Sequence, residues 1–129
     1  MPVPPRYRSI NFSPPQGVVE ALRRGLALHE QGYSGDGLQP TTVAWATRMA
    51  NGEDISFEKA RTMNAWFARH DNPVERRARE RDKTSPAYVA WLLWGGDAGV
   101  AWSSKLVRQM DAADNEDLTA RARASRSTG

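Results

Sequence analysis

Arg76, Arg77, Arg79, Arg81 and Lys83 crowd into the end of a charged run, Arg69-His70-Asp71-Asn72-Pro73-Val74-Glu75-Arg76-Arg77-Ala78-Arg79-Glu80-Arg81-Asp82-Lys83. Cations at this density can neutralise a row of phosphates, which releases condensed counterions and makes association steeply salt-dependent. Glu75, Glu80 and Asp82 interleave with them, so the run also reads as a solvated helix or loop with local ion pairs. With Arg69 it is the best electrostatic candidate for contact with nucleic acid or an acidic partner. Other chemistry is sparse. His29 and His70, the only histidines, fall in different segments, and no paired carboxylate or metal-ligand spacing recruits them. Ser103-Ser104 has no identifiable base, and a chain without cysteine has no thiolate nucleophile, thiolate metal site or disulfide. Gly32-Tyr33-Ser34-Gly35-Asp36-Gly37 has the glycine content of a phosphate cradle, but it follows a helix and carries no lysine. It reads as a flexible connection. The sequence therefore predicts no catalytic residue, no cofactor and no metal.

The elements that must hold these residues are helical. Residues 1–12, with three prolines and two arginines after Met1, suit an extended arm. Ser13-Pro14-Pro15-Gln16 predicts a capped helix start, and Val18, Val19, Leu22, Leu26 and His29 recur at helical spacing until Gly32. Thr41 or Thr42 is expected to cap a short helix that closes at Asn51-Gly52. Ser56 caps the next, in which Phe57, Ala60, Met63 and Phe67 share a face while Lys59 and Arg61 are expected to be exposed. These two helices read as an ordinary helical hairpin in preference to a major-groove reader, because their connection is longer than the usual turn.

Ser85-Pro86 opens a helix that is apolar on every side from Ala87 to Trp94, which predicts the buried centre of the fold. Trp91 and Trp94 then belong to the core. Gly95-Gly96 form a hinge, Asp97 is expected to cap the following helix, and Trp102, Leu106 and Met110 form its apolar stripe. The mixed residues of 111–129 read as a flexible tail beyond a helical domain of 13–110. The expected fold is all-α, a compact single domain of four or five short helices around a central one. At 129 residues, 40% hydrophobic and 26% charged, the chain suits one globular domain, and its net charge of +3 permits an acidic partner. No stretch approaches a membrane span of roughly 18 apolar residues, and the N-terminus lacks the apolar core of a signal peptide. Synthesis in the cytoplasm is the corresponding expectation.

Pro14-Pro15-Gln16-Gly17-Val18, Arg24-Gly25-Leu26, Ala46-Thr47-Arg48-Met49-Ala50-Asn51-Gly52, Phe67-Ala68-Arg69-His70 and Ala90-Trp91-Leu92-Leu93-Trp94-Gly95-Gly96-Asp97-Ala98-Gly99 together resemble a small domain of tailed bacteriophages and prophages. That domain occurs alone or fused to phage proteins such as head-maturation proteases, and the resemblance covers roughly residues 12–110. It implies phage origin and transfers no catalytic residue. Two loops depart from the pattern: relatives tend to have a basic residue in the glycine-rich connection before the second helix, whereas Gly32 to Pro40 contains Asp36, and Val74 to Lys83 replaces a glycine- and proline-rich loop. The expected function is that of a non-enzymatic phage binding protein, associated with the virion or head, whose basic segments touch DNA or an acidic phage structural protein. An early intracellular factor that binds DNA or a host target is the alternative.

Overall fold

Prolines and short polar residues set where each helix begins. In the computed structural model, which describes residues 3–128 and the side chains of residues 3–126, Pro40, Pro73 and Pro86 each occupy a first helical turn, where a missing amide costs nothing. Six α-helices result: α1 Gln16–Glu30, α2 Pro40–Ala50, α3 Phe57–His70, α4 Pro73–Arg81, α5 Pro86–Leu93 and α6 Gly96–Thr128. The described residues form no strand. Ser56, Asn72 and Ser85 accept hydrogen bonds from the amides of Lys59, Glu75 and Tyr88 at 3.0, 3.0 and 3.2 Å, capping α3, α4 and α5.

Ser13 and Thr41 or Thr42 do not cap. A residue before proline is held extended, so Pro14-Pro15 postpones α1 to Gln16, and Gln39 is the extended residue ahead of Pro40, which places both threonines inside α2. Asp97 is no cap either. Gly95 and Gly96 take φ of 118° and 64°, turning the chain so tightly that α6 begins at Gly96 and Asp97 lies within its first turn. Its carboxylate instead accepts the indole N–H of Trp91 at 2.9 Å, tying α5 to α6.

α5 is central as expected, packing against α1, α2, α4 and α6. Val89, Trp91, Leu92 and Leu93 are buried there beside Val18 and Leu22 of α1, with Trp102, Leu106 and Met110 of α6 in the same core. Gly25 permits the α1–α5 approach, since a Cβ on it would stand 2.9 Å from Leu92 Cβ. Trp94 departs from expectation: it is half-buried, at the end of α5. α2 and α3 do not form the expected hairpin. α2 packs on α1 and α5, whereas the buried face of α3 lies along α6.

The N-terminal strap and the α6 turn of 111–114 belong to the folded body, while α6 continues beyond them as a largely exposed helix. Pro5–Tyr7 form a 3-10 turn, Tyr7 and Phe12 are buried, and the Tyr7 hydroxyl donates to Asp114 at 2.7 Å. Residues 3–12 are therefore a packed strap, not a free extended arm. Residues 111–128 are no loose tail, because α6 runs on unbroken, and Asp111 and Asp114 hold Arg61 and Arg6. The sign of this in the sequence is the lack of any proline or glycine from Val100 to Thr128.

Candidate functional site

α4 turns the charged run into a helix with two unlike faces. Arg79 faces inward at 8% exposure, its guanidinium 3.6 Å from the centroid of Trp91 while Nη1 donates to the His70 carbonyl at 3.1 Å. Arg79 thus serves the fold and is withdrawn from the contact surface that the sequence assigned to it. Trp91 supplies a broad apolar face on which the guanidinium stacks, and that compensates for the water it loses. Arg76 is exposed but bonded to Asp71 at 2.7 Å. Two residues either side of Arg79, Arg77 and Arg81 point to the opposite side of the helix, about 160° away by helical geometry. Both are exposed and have no ion pair among the described residues. Val74, 75% exposed, completes that outer stripe. Arg69, in the last turn of α3, and Lys83, just beyond α4, are also exposed, with the Lys83 ammonium 4.9 Å from the Tyr88 ring.

Of the acidic residues of the run, Asp71, Glu75 and Asp82 have local partners, while Glu80 has no ion pair among the described residues. Glu75 meets His70 Nδ1 at 2.7 Å and accepts from Asn72, whose own side chain caps the helix. Burial raises the Glu75 carboxyl, but the hydrogen bonds from His70 and Asn72, with the charges of His70 and Arg79, outweigh it and hold the group below its ordinary range. The carboxylate partner that the sequence did not find for His70 is therefore Glu75, five residues on across the α3–α4 turn. Asp82 accepts from both the amide and the hydroxyl of Thr84.

A column of rings and cations runs beside this helix. His70 stacks on Trp66 at 4.3 Å, Trp66 on Trp94 at 4.9 Å and 11°, and the Lys59 ammonium follows, 4.2 Å from the Trp94 centroid and 4.8 Å from that of Trp45. Lys59 is 9% exposed, contrary to the expected exposed position, and among the described residues it has no carboxylate partner. Burial pushes its ammonium down to about 8. Its spacing with Met63 and Trp66 on α3, four and then three residues apart, is the sequence signal that it shares their face. Arg61, expected to be exposed beside it, is drawn to Asp111 and Asp114 at 3.2 and 3.4 Å.

The glycine-rich connection folds over this column. Gly32 and Gly35 adopt φ of 91° and 69°, and Ser34 is buried with its hydroxyl in hydrogen-bond contact with His29 Nδ1. Beneath the loop lies a cavity of about 530 Å³ whose wall includes Trp66, His70 and Trp94. A second cavity, of about 440 Å³ beside α4, mixes Arg76, Arg79 and Lys83 with Asp71, Glu80 and Asp97. No three His, Cys, Asp or Glu residues among those described stand where they could share a metal ion. No described helix is long and apolar enough to cross a membrane. No family model, curated protein or solved structure matches the chain.

Proposed function

We propose that this chain is a non-enzymatic binding protein of a tailed phage or prophage that docks on nucleic-acid backbone through the outer face of α4. The observation that carries the reading is the division of labour within that helix: Arg79 anchors it on Trp91, while Arg77 and Arg81 stand outward without partners. One helical turn separates them, about 6 Å along the axis. Arg69 in the last turn of α3 and Lys83 just beyond α4 are further exposed cations, Lys83 lying on the Trp91 side. Glu75 and Asp82 are engaged by His70, Asn72 and Thr84, so their charge is partly answered within the chain. The resemblance of the Trp91-Leu92-Leu93-Trp94-Gly95-Gly96-Asp97 segment and its companions to the phage domain supports phage DNA or a head protein as the partner.

Binding of duplex DNA by fluorescence anisotropy across a salt series tests this reading. Replacing Arg77 and Arg81 together with serine is expected to remove two phosphate contacts, lowering the log–log salt slope by about two. The circular dichroism spectrum should be unchanged. An unaltered slope rejects this face of α4, and a wild-type chain that ignores DNA but captures an acidic head protein replaces nucleic acid by protein. Mass spectrometry of purified particles then decides virion association, and absence from particles leaves the intracellular role.

A further inference from the structure

The cavity beneath residues 32–37 takes no part in the α4 surface and has its own chemistry. Its 530 Å³ falls in the size range of small-ligand sites. Leu38, Val89 and Ala90 make an apolar wall, and Trp66 and Trp94 close one side. The faces of these two rings are already occupied, by each other, by His70 and by Lys59, so a flat base has no free indole face on which to stack.

The polar groups at the cavity are one carboxylate, one imidazole and the neutral side chains of Ser34, Gln39 and Thr42. Asp36 is the only fully charged side chain in the lining; it is exposed and has no ion pair among the described residues. His70 contributes the second group. Its Nδ1 is bonded to Glu75, so it stands in the lining already paired within the chain. A single carboxylate beside an apolar wall favours a ligand that brings a cationic N–H donor on an apolar body. Lys59 stands against Trp94 and is not in the lining, so its repulsion of a cation acts at longer range than the attraction of Asp36.

We propose that this cavity binds a small organic cation, a primary amine carrying an aromatic or branched aliphatic body. The ammonium pairs with Asp36 at the rim and the body fills the space beneath the loop. Nuclear magnetic resonance titration of the full chain with 2-phenylethylamine, and separately with 3-phenylpropionate, provides the test. The amine should shift the amides of Gly35 and Gly37 and the indole N–H signals of Trp66 and Trp94 saturably, while the acid leaves them in place. Asp36→Asn lies on an exposed loop and should weaken the amine about tenfold, the loss of one charge-assisted contact, with the remaining spectrum unchanged. The Arg77→Ser, Arg81→Ser chain should bind the amine as wild type does, which separates this site from the α4 surface. Equal or tighter binding of the acid, undiminished affinity in Asp36→Asn, or no saturable shift up to about 10 mM amine overturns the proposal.

Discussion

Lys59→Met should abolish a rise of stability with pH that the wild type shows. The Lys59 ammonium is held between Trp45 and Trp94 with no carboxylate partner among the described residues, and it sits in the first turn of α3, where the helix dipole also disfavours a cation. Burial lowers its pKa from 10.5 to about 8. In the unfolded chain the amine keeps its ordinary value, so between those two values the unfolded state binds more protons than the folded one. Stability must then rise as pH increases through that window. The full difference corresponds to about 3 kcal/mol. Attraction of the charge to two ring faces and screening by the water that reaches the ammonium both reduce it, to about 1–2 kcal/mol. Methionine keeps the length of the side chain, removes the titration and gains sulfur–aromatic contact. Urea unfolding followed by tryptophan fluorescence, repeated from pH 7 to beyond the ordinary lysine range, gives the two curves. The wild-type stability minus that of Lys59→Met should increase by about 1–2 kcal/mol across the window, with the variant at least as stable at pH 7. A flat difference means that Lys59 is solvated, and a falling one means that the rings hold it charged above its unfolded value. Either refutes the reasoning.

Further outcomes follow from packing. Arg79→Ala removes the guanidinium from Trp91 and from the His70 carbonyl and should cost about 2 kcal/mol in chemical denaturation, whereas Arg77→Ala should stay within about 0.5 kcal/mol of wild type. Equal effects would show that the two arginines do not differ in role. Gly25→Ala gains helix propensity but forces a Cβ against Leu92, and the clash should win, with a net loss of about 1 kcal/mol. A thermal scan showing Gly25→Ala to be more stable than wild type would mean that α1 and α5 are farther apart than described.

Most of what local chemistry controls was legible. The starts of α3 and α5 follow from Ser56 and Ser85, and the turn at Gly95-Gly96 from residues that tolerate positive φ. The buried α5 follows from the unbroken apolar run of 87–94. Even the errors at Ser13 and Thr41 were local, since the consecutive prolines at 14 and 15 and the single one at 40 already dictated where extended backbone must give way to helix.

The composition and spacing of the chain by themselves determined an all-helical domain, its central helix and the location of its charge, because capping, backbone propensity and hydrophobic periodicity act over a few residues. Which charges are available was decided by the tertiary structure alone. Arg77 and Arg79 have the same chemistry and stand two positions apart, yet only Arg79 finds the face of Trp91, because the packing of α4 on α5 brings that ring beneath it. Lys59 is buried for the same kind of reason: Trp45 and Trp94 reach it from other helices. His70 gains Glu75 when the α3–α4 turn closes, and Asp97 gains Trp91 when α6 folds back on α5. A side chain's type states what it can do, but its partner depends on a surface assembled from distant segments.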